Sequence, residues 1–227
     1  MTGQAAEAYS GAGPLEVGSC AACHLLWFDH SGSISLTPRA VLELFQYIGK
    51  AAGPARTTLA STFLCPRCSG ALALTYDLQR ATRFTFWRCA NDHGQLFTFN
   101  QFLREKNFIR SPSLAELTKL RSTVRQISCS QCGGPIDLIR DTGCTHCGAP
   151  IALVDPDGVA KAVHDLTMGN ASTSPATQEQ TGVAFSNAQL DALFNLERLR
   201  EHDGNDDLVA IGVAAIGAAL GAILLTR

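Results

Sequence analysis

The chain has 227 residues, 18 lysines and arginines against 20 aspartates and glutamates, and 46% hydrophobic residues. The formal charge of −2 excludes a uniformly basic or acidic protein, and the apolar content excludes wholesale disorder. Nine cysteines are too few for a small disulfide scaffold and too many to be incidental, so their placement carries the argument.

Residues 1–14 are small and polar, with Gly11, Gly13 and Pro14, and predict a flexible leader. No basic start followed by an apolar run marks an export signal. Residues 15–28 predict two short strands around Cys20 and Cys23. Thr37-Pro38 is a helix start, a capping residue followed by proline at the first helical position. Val41, Leu42, Leu44, Phe45 and Ile48 form that helix's apolar face, and residues 49–54 end it. This first unit spans residues 15–62.

The second unit, residues 63–126, opens with Cys65-Pro66-Arg67-Cys68-Ser69-Gly70. Alternation over 71–76 and 83–88 predicts a hairpin. A turn with Cys89 and His93 follows, then a short helix near 101–107. Ser113 and Glu116 have capping-box spacing, with Leu114, Leu117, Leu120 and Val124 at helical intervals, which predicts a spacer helix. Residues 127–168 form a third unit with a short helix over 155–168. Residues 169–185 predict a flexible linker, 186–203 an amphipathic helix with Leu190, Leu193, Phe194 and Leu196, and 208–225 an uncharged apolar segment.

Eight cysteines form four Cys-x-x-Cys pairs: Cys20/Cys23, Cys65/Cys68, Cys129/Cys132 and Cys144/Cys147. Two thiolates three positions apart on a tight turn converge on one ion, whereas disulfide frameworks need no such pairing. Cys129, Cys132, Cys144 and Cys147, with glycine after each pair, make a four-thiolate zinc ribbon. Its alternative is two buried or oxidised thiol pairs. His146, between two ligands, reads as a surface residue. Cys65, Cys68, Cys89 and His93 make a second set of three thiolates and one imidazole, unless His93 is an ordinary surface histidine. Cys20 and Cys23 are two thiolates only. Their candidate partners His24, Asp29 and His30 are local, and they alternatively join Cys65/Cys68 and leave Cys89/His93 incomplete. Two zinc ions are therefore expected, and a third ion at Cys20/Cys23 is left open against a metal-free knuckle. Four protein ligands leave no position for water or substrate, so such ions fold the chain and do not catalyse. Units this small are expected to lean on metal in place of a hydrophobic interior.

The chain resembles a group of uncharacterised bacterial zinc-ribbon proteins over residues 15–159. The residues that carry the resemblance are Cys20-x-x-Cys23-x-x-x-Trp27-Phe28-Asp29, the run Phe102-Leu103-Arg104-Glu105-Lys106-Asn107-Phe108, and the terminal double knuckle. The first motif is also similar to the second half of a transcription-factor-IIB-type zinc finger, with Ser31-Gly32-Ser33 in place of Gly-Glu-Leu. The resemblance implies a zinc-ribbon fold and no activity.

Charge is unevenly spread. Residues 1–79 sum to −1, residues 80–125 to +6 and residues 126–207 to −8. The basic middle interleaves nine cationic side chains with Phe84, Phe86, Trp87, Phe97, Phe99, Phe102 and Phe108, a pattern suited to nucleic acid if the rings are exposed and to a core if they are not. The same patch suits anionic lipid or an acidic protein. The 18 residues of 208–225 make a helix about 27 Å long, close to the roughly 30 Å hydrocarbon core of a bilayer. Gly217 and Gly221 permit close helix approach and self-association. The alternative is an apolar helix buried in a partner or oligomer.

These features predict a small α+β protein of metal-stapled zinc-ribbon units joined by helices, with one C-terminal transmembrane helix. The function they imply is a non-enzymatic, membrane-tethered adaptor with a protein partner, on the bacterial inner membrane with its zinc units in the cytoplasm. A membrane-associated nucleic-acid regulator using residues 80–125 is the alternative. A metal-dependent hydrolase has only the Cys20/Cys23 region for an open metal position, and no catalytic motif supports it.

Overall fold

The structure is a computed structural model, and it describes residues 1–9, 15–30, 32–51, 59–60, 62–79 and 82–171. In chain order it contains β1 (Thr2–Ala6), β2 (Leu15–Cys20), β3 (Leu25–Asp29), a 3-10 turn (Ser33–Ser35), α1 (Pro38–Ala51), β4 (Ala73–Gln79), β5 (Thr82–Arg88) and β6 (Gly94–Thr98). These are followed by α2 (Phe99–Glu105), β7 (Ile109–Arg110), α3 (Leu114–Thr123), β8 (Gln126–Ser128), β9 (Pro135–Asp137), β10 (Leu153–Val154) and α4 (Pro156–Ala171).

Six strands form one antiparallel sheet in the order β1-β2-β3-β6-β5-β4. The sheet runs across the boundary expected near residue 62, because β3 of the first unit pairs with β6 of the second, Trp27 opposite Leu96. The first two units therefore share one sheet. Residues 2–6, expected in the leader, are its edge strand β1; Thr2 lies opposite Ser19 and exchanges side-chain hydrogen bonds with it. The helix expected to precede the linker runs to Ala171, three residues past the expected boundary at 168. The rest of that linker, the amphipathic helix at 186–203 and the apolar segment at 208–225 lie outside the described residues. Among the described residues no helix is long and apolar enough to cross a membrane.

Strand β3 is buried at every position and sorts its side chains by alternation. Leu26 and Phe28 enter the main core, while Leu25 and Trp27 enter a smaller cluster on the opposite face with Cys65, Cys89 and Leu96. The main core joins sheet residues Val17, Phe84, Phe86 and Phe97 to the apolar face of α1, to Phe102 and Phe108, and to Val159 and Val163 of α4. The predicted face of α1 is buried throughout, and Thr37 caps it by accepting from the Ala40 N–H at 3.3 Å. Ser113 and Glu116 form the predicted capping box of α3. A buried ionic knot fixes the 3-10 turn to α2: Ser33 Oγ donates to Glu105 at 2.6 Å, and Lys106 Nζ donates to the Ser33 carbonyl at 2.8 Å.

The expectation that metal substitutes for a hydrophobic interior is corrected here. The main core is large, and neither cysteine cluster lies in it. The ribbon alone has a small interior, Leu120, Ile127, Ile136, Leu138 and Ile151 around Cys129 and Cys144.

Candidate metal centres

Two groups of four ligand atoms converge among the described residues, Cys65/Cys68/Cys89/His93 and Cys129/Cys132/Cys144/Cys147. Within each group every ligand atom lies within 4.8 Å of the others. A tetrahedral ion with metal–sulfur bonds near 2.3 Å and metal–nitrogen bonds near 2.0–2.1 Å requires sulfur–sulfur separations of about 3.8 Å and sulfur–nitrogen separations of about 3.6 Å. In the first group Cys68 Sγ lies 3.6 Å from Cys89 Sγ, and His93 Nδ1 lies 3.5 Å from Cys89 Sγ and 3.8 Å from Cys65 Sγ. In the second, Cys129 Sγ is 3.7 Å from Cys147 Sγ and Cys132 Sγ is 3.6 Å from Cys144 Sγ. Both groups thus fit two tetrahedral metal ions, with His93 offering Nδ1.

Local backbone geometry explains the convergence. After Cys68, Cys132 and Cys147 the next residue turns left-handed, Ser69 at φ 58°, Gly133 at 76° and Gly148 at 71°. That turn folds its N–H back onto the first cysteine's carbonyl, as in Ser69 N–H to Cys65 at 2.8 Å and Gly133 N–H to Cys129 at 2.7 Å. Amides also aim at sulfur: Arg67 N–H to Cys65 Sγ and Gln131 N–H to Cys129 Sγ, both 3.4 Å, and Gly134 N–H to Cys132 Sγ at 3.5 Å.

The thiols are unevenly tuned. The Gly70 N–H and then His93 bring Cys68 down to about 6, which favours the thiolate. Burial pushes Cys65 and Cys129 up, and Cys147 up to about 11. A cation that displaces those protons removes the cost of burying thiolates there.

Cys20 and Cys23 belong to neither group. Their spacing fits a knuckle, but Cys20 pairs with Leu25, so residues 21–24 form the four-residue loop of the β2–β3 hairpin. His24 bonds back to Ala21 and not to Cys20, and its ring stacks on Phe99 with centroids 5.0 Å apart. Asp29 is occupied as well: it accepts from Trp27 Nε1 at 2.6 Å and pairs with Arg67. The third ion considered there therefore gains no converging ligand from Asp29, His24 or His30, and Cys20 and Cys23 pack beside the first centre without entering its ligand set. His146 is exposed, as expected.

Two features escaped the sequence reading. Arg67, between Cys65 and Cys68, reaches Asp29 of β3 and Glu16 of β2, which ties the first knuckle to the sheet. The ribbon is docked by polar side chains. Gln131 Oε1 accepts from Thr98 Oγ1 at 3.0 Å and Gln101 Nε2 at 3.3 Å, and Asn100 Nδ2 donates to Ser130 Oγ at 2.9 Å. Thr98, Asn100 and Gln101 are all buried, which accounts for polar residues at the start of α2. A continuous run of contacts thus leads from His93 through β6 and α2 to Gln131, between Cys129 and Cys132.

Comparison of the chain with models of known families, with curated proteins and with solved structures returns no match.

Proposed function

We propose that the chain is a non-enzymatic adaptor whose head holds two structural zinc ions and is tethered to the bacterial inner membrane through residues 208–225, with the head in the cytoplasm. The observation that carries this reading is the ligand count: four side-chain ligands close each tetrahedron and leave no coordination position for a substrate. Thiolate-rich sets of this kind favour zinc over harder cations. Cysteine pairs spaced for thiolate–metal bonding suit a reducing compartment, which supports a cytoplasmic head. Burial of Phe84, Phe86, Phe97, Phe99, Phe102 and Phe108 in the main core takes most of the aromatic rings of the basic middle out of reach of bases, so protein recognition is favoured over nucleic acid.

Cobalt substitution of the purified full chain tests the closed sites. Two cobalt ions per chain with tetrahedral d–d bands, unmoved by added azide or cyanide, are expected. A band shift on adding either anion reveals an open position and overturns the non-catalytic assignment. Recovery of the full chain in the soluble fraction overturns the tether.

A further inference from the structure

A groove of about 890 Å³ lies where the two metal-bearing units face each other. Its floor is the β4–β5 hairpin, the segment between Cys68 and Cys89 of the first centre. Its opposite wall is Cys147-Gly148-Ala149-Pro150 of the second. The volume is in the range of sites that bind ligands. Gln131, which docks the ribbon through Thr98 and Gln101, also lines the groove.

The floor carries a stripe of large apolar side chains in water. Leu74, Tyr76 and Leu78 alternate along β4 and are 46%, 76% and 56% exposed. The register places Trp87 opposite Leu74 and Arg83 opposite Leu78 on the same face. β4 is an edge strand; its outer side pairs with no strand among the described residues, and only Asp77 blunts it with charge. At the groove's side stands Arg104 of α2, half-buried. Burial penalises its charge, and among the described residues no carboxylate pairs with it or with Arg83. A half-buried guanidinium without a partner anion is costly, and an arriving carboxylate relieves the cost.

We infer that this groove takes an extended, acidic peptide segment of a partner protein, with apolar side chains at alternate positions over Leu74, Tyr76 and Leu78 and a carboxylate against Arg104. The inference rests on the adaptor reading and names the chemistry of its partner. An extended segment matches because the stripe repeats every second residue and the bare edge of β4 offers main-chain hydrogen bonds beside it. The acidic residue follows from charge complementarity with Arg83 and Arg104, which outnumber the groove's one lining carboxylate, Asp77. Tyrosine, tryptophan and arginine are the side chains on which binding energy concentrates.

The probe is a fluorescein-labelled Leu-Glu-Leu-Glu-Leu peptide, read by polarisation on the metal-loaded full chain in detergent. Leu-Lys-Leu-Lys-Leu and a labelled oligothymidine serve as comparisons. The glutamate peptide is expected to bind saturably and at least about tenfold more tightly than the lysine peptide. Arg104→Gln and, independently, the exposed-site change Tyr76→Lys should each weaken it about tenfold while both metals stay bound. Metal removal should abolish binding. Equal affinity of the two peptides, undiminished binding by Arg104→Gln and Tyr76→Lys, or tighter binding of oligothymidine overturns the inference. So does sedimentation as a dimer that Tyr76→Lys dissociates, because a second copy then occupies the stripe. Metal content and cobalt spectra, measured on the same samples, report the adaptor reading separately.

Discussion

Removing the metal from the ribbon should unfold the ribbon and leave the sheet intact. The perturbation is Cys132→Ser. Cys132 is half-buried, and serine Oγ can accept the Gly134 N–H that its sulfur accepts at 3.5 Å, so the substitution removes a metal ligand without burying an unpaired polar group. The ribbon's interior holds five large aliphatic side chains, Leu120, Ile127, Ile136, Leu138 and Ile151. At about 1.5–3 kcal/mol each they contribute about 8–15 kcal/mol. A structural zinc ion contributes about 10–16 kcal/mol in small zinc-binding peptides, as much as that whole interior. The main core holds 22 buried side chains larger than alanine, or about 30–65 kcal/mol on the same scale, and none of them is a metal ligand. Loss of the ion therefore removes about half of what holds the ribbon and almost nothing of what holds α1, β2 and β3.

Metal analysis combined with amide hydrogen exchange checks this. The variant should carry one ion per chain. Protection should collapse across Gln126–Ser128 and Pro135–Asp137 and persist in Leu25–Asp29 and Pro38–Ala51. Two ions retained, an unchanged ribbon, or equal loss of protection in the sheet would each refute the reasoning.

Three further outcomes follow from named contacts. Arg110 grips Glu116 at 2.6 and 2.9 Å and, with the Ser113 N–H, holds its carboxyl down to about 2. The folded value lies below the unfolded one, near 4.3, so the stabilisation is complete above that pH and is lost as pH falls toward about 2. With both side chains about one-third exposed (34% and 30%), solvent screening reduces the effect to about 1 kcal/mol, and Glu116→Gln should lower the urea midpoint at pH 7 and by much less at pH 2. Asp29→Ala leaves Trp27 Nε1 and Arg67 without their shared acceptor and should cost about 1–3 kcal/mol. Chelator competition should then strip the first centre faster and the ribbon at its usual rate; equal rates at the first centre contradict the tie through Arg67. The double change Cys20→Ser/Cys23→Ser should leave two ions per chain, and recovery of only one places those thiols in a ligand set after all.

What was legible in the sequence is what short spacing encodes. Cys129-x-x-Cys132 with its glycines, the periodicity of Val41, Leu42, Leu44, Phe45 and Ile48, and the Ser113/Glu116 box each specify geometry within a few residues, and each appears in the structure. Pairing over long separations has no such signature. Nothing in residues 2–6 marks a strand until β2 stands beside them, and nothing in Leu25–Asp29 names Gly94–Thr98 as its neighbour. The same gap explains Cys20 and Cys23: their spacing fits a knuckle, and only the register of the hairpin, Cys20 opposite Leu25, decides that they close a loop. Thr98, Asn100 and Gln101 were opaque for the opposite reason. They are polar by composition and buried by position, because their partners Ser130 and Gln131 lie about 30 residues on. Metal at the two clusters would therefore matter to this protein differently from the way its cysteine count suggests. The hydrophobic interior holds the sheet, including the groove's floor through Phe84 and Phe86 of β5, and an ion in the second cluster would fix the opposite wall, the loop that follows Cys147. On the proposed reading, a groove with one wall resting on the second cluster's ion keeps its shape only while that ion is bound, so peptide binding should fall with metal occupancy there even where the sheet stays folded.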